Sequence, residues 1–321
     1  MGLNSAAHLK LVLLVCTVAA AAAEDCNRRC GNVSIPYPFG ISDDCYIDER
    51  FIINCTTTTS SSGQPIAHLR GGVIPVLNIS VDPPELIVSA NVTNQCYDSD
   101  FTWNSNWISF EKFSISNPKN RFTVVGCDTD AYIRDLTGSR FQTGCTLSCN
   151  KKSFEDWSCS GVGCCQTGFP KAIRNYTINI TSFGGYKDVK DFNPCGYAFL
   201  SQNGSFNFSP QALLNLSGAT QFPVVLDWAV GDQTCNEAKK NTSSYACKQN
   251  SRCQDSVSGI GYQCSCELGF QGNPYLSDPE TGCKDVNEYE GDNGCSRRCH
   301  NVGGNYTCSC PLGYRGDGYK D

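Results

Sequence analysis

The chain has 321 residues, 23 of them cysteine and only three histidine, with a formal charge of −6 at pH 7. No basic face stands out, which excludes nucleic acid as a partner class. Scarce histidine leaves His-based triads and His-rich metal sites poorly supplied, and no carboxylate pair of the glycosidase type sits in a recognisable catalytic motif, so a non-catalytic protein is expected.

Residues 1–23 hold Lys10, an apolar run over 11–15 and a small-residue stretch ending at Ala23. That pattern reads as a secretory signal peptide cut after Ala23. Its removal takes Cys16 and leaves 22 cysteines, an even number that in an exported chain points to disulfides rather than metal thiolates. No later stretch reaches the roughly 20 consecutive apolar residues of a membrane helix. A secreted, extracellular or cell-wall protein with no membrane span is expected. Sequons at Asn32, Asn54, Asn78, Asn91, Asn175, Asn179, Asn203, Asn207, Asn215, Asn241 and Asn305 agree with export, and each glycan demands a solvent-facing asparagine.

From residue 25 to 234 short β runs alternate with Gly, Pro, Asn and Ser clusters: 51–54, 73–81, 85–92, 107–113, 121–125, 175–180 and 224–230. One short helix is expected over 210–216, with Pro210 near its start and Gly218 after it. Residues 56–62 read as an exposed loop tip. The predicted fold is mostly β and loop, disulfide-rich, with a cysteine-rich β region followed by small modules. Twelve cysteines from Cys26 to Cys195 allow up to six bridges whose pairing the sequence leaves open.

Residues 24–110 carry ten acidic side chains and four basic ones, Arg28, Arg29, Arg50 and Arg70, with His68 nearby. Pro36 and Pro38 fix an extended segment that presents Tyr37 and Phe39 either as a rigid display or as plain core packing. Trp103 and Trp107, four apart amid Asn and Ser, are either a sugar platform or buried anchors, and burial is the favoured reading. After residue 235 the texture turns to Gly and Cys. Cys235, Cys247, Cys253, Cys264, Cys266 and Cys283 form a six-cysteine unit with a C-x-C at its fourth and fifth positions, followed by Gly269 and Phe270.

That spacing resembles the epidermal growth factor module, and the resemblance implies the pairs Cys235–Cys253, Cys247–Cys264 and Cys266–Cys283. A module of this size buries little core, so bridges replace it. A second unit opens with Asp285-Val286-Asn287-Glu288 and continues through Cys299-His300-Asn301 to Tyr306. It resembles the calcium-binding subtype. The likeness implies Ca2+ held weakly, in a structural role, by the side chains of Asp285, Glu288 and Asn301 and the carbonyls of Val286, Val302 and Asn305. Tyr289 occupies the place of that module's first cysteine and only Cys295–Cys308 keeps its regular partner. The expected affinity is weaker than the ~10⁻⁴ to 10⁻³ M usual for extracellular modules.

The amino-terminal motif Cys26-x3-Cys30-Gly31, then Ile35-Pro36-Tyr37-Pro38-Phe39-Gly40, resembles the galacturonan-binding domain of plant wall-associated kinases. Val125-Gly126-Cys127-Asp128, Gly163-Cys164-Cys165-Gln166, Cys195-Gly196-Tyr197 and Leu226-Asp227-Trp228 continue the likeness. It implies a galacturonan-binding domain over 24–110, a cysteine-rich associated β region over 111–234, a growth-factor module over 235–283 and an incomplete calcium-binding module over 285–321. The implied ligand is pectin or an oligogalacturonide, with Arg28, Arg29, Arg50, Arg70, Tyr37, Phe39, Trp103 and Trp107 as candidate contacts. The span and kinase of such receptors are absent from the expected organisation. Full-length receptor kinases or wall proteins are possible partners, and a protein- or peptide-binding scaffold or decoy co-receptor is the alternative reading.

Overall fold

The computed structural model describes residues 26–57, 63–69, 71–97, 104–110, 112–151, 158–290, 294–296, 298–310, 312–313 and 318–319. The expected signal peptide, Arg70, Trp103 and most of the 56–62 loop lie outside the described residues. The chain divides into two compact units. One comprises Phe39–Ile79 and Glu85–Trp228 with the described residues up to Ile35; the other comprises Ala229–Asp321 with Pro36–Pro38 and Ser80–Pro84.

Three four-stranded sheets are built almost wholly from residues of the first unit. One runs Cys164–Thr167, Asn120–Val125, Cys195–Gln202, Thr93–Cys96; the next Gln142–Leu147, Thr129–Arg134, Asn175–Thr181, Asn104–Ser109; the third Val76–Val81, Pro84–Asn91, Gln221–Asp227, Ser114–Ile115. The strand Thr129–Arg134 buries Thr129, Ala131 and Ile133 and turns Asp130, Tyr132 and Arg134 outward, the period-two pattern of a half-buried strand. Cys195–Gln202, flanked on both sides in its sheet, is buried along nearly all its length.

Pairing across the chain removes the expected division at residue 110. Pro84–Asn91 pairs with Gln221–Asp227, and Asn104–Ser109 pairs with Asn175–Thr181, so segments from both expected domains share sheets. Those partners also reset the strand ends. The expected run 224–230 is the strand Gln221–Asp227, because its register runs from Gln221 opposite Asn91 to Asp227 opposite Glu85. The expected run 107–113 ends as a strand at Ser109, and the Phe110 and Phe113 side chains beyond it are buried in the core.

That core is aromatic. Phe39 and Phe51 each meet Trp228 edge-on, at ring-centroid distances of 5.2 and 5.8 Å, and Phe113 closes the group. Elsewhere Phe199 stacks on Phe222 at 4.2 Å, beneath the helix Pro210–Asn215, whose Ala212 and Leu213 are buried. The helix has Pro in its first turn and ends where Leu216 takes φ 50°. Six disulfides tie the unit together: Cys26–Cys45, Cys30–Cys55, Cys96–Cys195, Cys127–Cys149, Cys145–Cys165 and Cys159–Cys164.

The second unit is a series of two-stranded ribbons: Ser251–Asp255 with Tyr262–Cys266, Phe270–Gln271 with Lys284–Asp285, and Arg298–Val302 with Asn305–Ser309. Before them the turn Cys235–Ala238 is closed by a capping box between Thr234 and Glu237. The cysteines pair as the growth-factor likeness implies, Cys235–Cys253, Cys247–Cys264 and Cys266–Cys283, and Cys295 joins Cys308. Cys299 is a buried free thiol. The hydroxyls of the buried Tyr262 and Tyr275 accept backbone bonds from Ala246 and Cys264. Within this unit Asn273 Nδ2 donates to the Tyr37 carbonyl at 2.6 Å, and the Cys266 amide donates to Asp82 Oδ2 at 3.2 Å.

Candidate functional site

The first unit carries a groove of about 360 Å³. Val73, Ile74, Pro75, Trp107 and Phe110 form its apolar walls, and Ser89, Asn91 and Gln221 its polar rim. Trp107 stands on the outer strand Asn104–Ser109 and is 59% exposed, whereas Phe110, three residues on, is buried. The expectation that Trp107 is a buried anchor is therefore corrected: an outermost strand leaves its outward residues open to water, and the unit fills its interior with Phe110 and Phe113 instead. The rim is a cross-strand ladder. Gln221 Nε2 donates to Asn91 Oδ1 at 2.7 Å, and Ser89 Oγ donates to Gln221 Oε1 at 2.9 Å.

A smaller depression shares Ile74, Ser109 and Phe110 with the groove and adds Arg50, Lys112 and Phe113. Arg50 is held there by Asp48 in a two-pronged pair, Nε to Oδ1 at 2.8 Å and Nη2 to Oδ2 at 2.6 Å. Burial alone would push the Asp48 carboxyl up, but the hydrogen bonds from Arg50 and the charges of Arg50 and Lys112 outweigh it and hold it below the usual carboxylate range. Lys112 is exposed. Aromatic face, hydroxyl-matching amides and cations thus follow one another along one surface, a sequence of groups suited to a sugar chain bearing carboxylates.

The other candidates are used differently. Arg28 Nη1 donates to the carbonyls of Phe39 at 3.0 Å and Cys45 at 2.9 Å, so its guanidinium closes the amino-terminal loop. Arg29 is exposed on the short hairpin with Val33–Ser34 and does not line the groove. Phe39 is fully buried in the aromatic core, which selects packing over display; Tyr37 is half-buried and belongs to the second unit. Sequence reasoning missed Lys112, Ser89 and Gln221. Lys112 fell two positions beyond the assumed domain end, and Gln221 joins Asn91 only through a register spanning 130 residues.

Among the expected calcium ligands, Asp285 and Asn301 are brought together: Asn301 Nδ2 donates to Asp285 Oδ2 at 2.7 Å, and the Gly304 amide donates to Oδ1 at 2.5 Å. Glu288 lies on the one-turn helix Glu288–Glu290, with Oε2 shielded from solvent, and Val302 faces Asn305 across the hairpin. Among the described residues no group of three or more His, Cys, Asp or Glu gathers. Asp285, Glu288 and Asn301 carry oxygens of the kind a hard cation takes, but only Asp285 and Asn301 are in contact, and Asn301 turns its amide nitrogen, not its oxygen, to the carboxylate. Of the sequons, Asn179 is only 6% exposed inside a sheet, which leaves no room for a glycan in the folded protein. Asn203 spends its Nδ2 on the Pro118 carbonyl, while Asn32, Asn78, Asn91, Asn207, Asn215, Asn241 and Asn305 are exposed and Asn54 and Asn175 are half-buried.

Residues 26–90 match the family described as wall-associated receptor kinase galacturonan-binding. The chain is 39% identical over 271 residues to wall-associated receptor kinase 2 of Arabidopsis thaliana, covering 83% of this chain and 35% of that protein. Against wall-associated receptor kinase 5 of the same plant it is 38% identical over 291 residues, covering 88% and 37%. Against wall-associated receptor kinase 3 the figures are 36% over 302 residues, 88% and 39%. The chain thus spans little more than a third of the length of these relatives. No solved structure matches it. Among the described residues no helix is long and apolar enough to cross a membrane.

Proposed function

We infer that this chain, whose residues 26–90 match the wall-associated receptor kinase galacturonan-binding family and which is similar over most of its length to part of wall-associated receptor kinases, is an extracellular region of that kind and holds an oligogalacturonide in the groove beside Trp107. The observation that carries this reading is the exposed Trp107 above the Ser89–Gln221–Asn91 ladder, leading past Phe110 to Arg50 and Lys112. A galacturonate ring has an apolar face for the indole, hydroxyls for the ladder and a carboxylate for the cations. The acidic balance of residues 24–110 works against long-range capture, so affinity comes from this local cluster and falls with salt.

Titration with oligogalacturonides tests it. Trp107→Ala is expected to weaken binding by about 2 kcal/mol, roughly 30-fold. Lys112→Glu is expected to weaken it and flatten the salt dependence, while Arg29→Glu changes neither. The oligosaccharide is recovered uncut. Equal affinity in Trp107→Ala and the parent removes the groove from the site.

A structural Ca2+ in the second unit is a further element of the proposal, supported by the contact of Asp285 with Asn301 and with the hairpin turn at Gly304. Residues 285–321 then form a calcium-dependent module beside the 235–283 module. Full-length receptor kinases and wall proteins are the protein partners that fit such an extracellular array.

A further inference from the structure

We propose that Asn91 carries an N-linked glycan whose first sugars fold back into the groove against Trp107, so that glycosylation closes the galacturonate site; only this closing role rests on the function proposed above. Asn91-Val92-Thr93 is a sequon, and Asn91 lines the same groove as Trp107. Its amide is already oriented. Oδ1 is taken by Gln221, itself held by Ser89, while no hydrogen bond from a described residue engages Nδ2, the atom that bears a glycan. A cavity of about 360 Å³ lies within the roughly 300–1,000 Å³ of small-molecule sites. The indole face and the Val73–Pro75 wall suit the ring face and acetamide methyl of an N-acetylhexosamine.

An independent observation comes from Thr93. Its hydroxyl is buried, the residue being 3% exposed, and bonds to no described residue. An unpartnered buried hydroxyl costs stability, and valine would fill the same strand position without it. Among the described residues nothing uses this oxygen, whereas the acceptor sequence requires it. Transfer must precede closure of the sheet, because Thr93 is inaccessible afterwards. In that step the bond from sugar C1 to the phosphate oxygen of a lipid-linked pyrophosphate oligosaccharide breaks and a bond from C1 to Asn91 Nδ2 forms. The lipid pyrophosphate leaves with the electron pair and the amide loses one proton to base.

The test uses the full chain secreted from a glycosylating host, with Thr93→Val and Thr93→Ala each abolishing the sequon and Thr93→Ser retaining it. Peptide mass spectrometry is expected to find Asn91 occupied in the parent and Thr93→Ser and unmodified in Thr93→Val and Thr93→Ala. Hydroxyl-radical footprinting is expected to find Trp107 protected in the two glycosylated forms and oxidised in the two bare ones. Oligogalacturonide should bind the bare forms about tenfold more tightly, the factor for a groove open in roughly one glycosylated molecule in ten. Asn91 unmodified in the secreted parent, or Trp107 equally oxidised in all forms, overturns the proposal. Trp107 protection with no oligogalacturonide binding in any form upholds the seated glycan and overturns the galacturonate reading alone.

Discussion

The first unit wraps six disulfides around buried aromatic clusters, Phe39 with Phe51, Phe113 and Trp228 on one side and Phe199 with Phe222 on another. The second unit has four bridges and few large buried side chains, Tyr262 and Tyr275 among them. The same covalent bond therefore does two jobs. Around an apolar core it ties together strands and loops that buried side chains also hold; where ribbons of two strands cover little, it substitutes for the core.

Reduction separates the two jobs most sharply. With about 2–4 kcal/mol resting on each bridge, loss of Cys235–Cys253, Cys247–Cys264 and Cys266–Cys283 is expected to unfold residues 235–283. Hydrogen exchange under reductant should then show full exchange there, with Asn120–Val125 and Cys195–Gln202 still protected. Simultaneous loss in both units would dissolve the distinction. The converse perturbation is Phe39→Ala, which opens a cavity at the aromatic cluster. It is expected to destabilise the first unit by about 3–5 kcal/mol, read as a lowered Tm of that unit, with amide protection of the second unit unchanged.

Calcium sharpens the picture of the second unit. Calorimetry is expected to show weak binding in the parent and none in Glu288→Ala. Tyr289→Cys gives the buried Cys299 thiol a partner and should tighten binding about tenfold, or 1.4 kcal/mol, by lowering the ordering cost the ion must offset. Absence of binding in both the parent and Tyr289→Cys would strike calcium from the protein. The smallest effect concerns Asp48. Its carboxyl titrates below the ordinary value near 4, so the stability from its pair with Arg50 is present above that value and lost as the pH falls through the folded one. Because the pair is partly exposed the difference should stay under about 1 kcal/mol. Comparing Tm of the parent and Asp48→Asn at neutral pH and below the carboxylate range measures it, with the two expected to converge in acid.

What the sequence disclosed follows the range of the interactions. The helix over 210–216 was legible because Pro210 and Gly218 bracket it locally, and it forms as Pro210–Asn215. The growth-factor bridges were legible because each closes a short loop with a recognisable spacing, 17 or 18 residues apart. The groove was not. Trp107 was in view, but its exposure depends on which strand lies outermost, and nothing near it in sequence says so. Arg28 looked like a ligand because its two carbonyl partners, 11 and 17 residues away, carry no sequence signal. The division at 110 failed for the same reason: sheets that join 84–91 to 221–227 leave no change of composition where one would look for a boundary.

That long-range pairing also sets a clock. Asn91 meets Gln221 only after 130 further residues have been made, and at about 5–20 residues per second that takes roughly 7 to 26 s. Through this interval the strand Pro84–Asn91 lacks its partner Gln221–Asp227, and until residue 202 is made the strand Thr93–Cys96 lacks the neighbour Cys195–Gln202 that later flanks Thr93. A ribosome's pace, rather than any equilibrium of the finished protein, decides how long that asparagine stays open to modification, so slowing or hastening elongation between codons 91 and 221 should alter how many copies leave the cell with the groove filled.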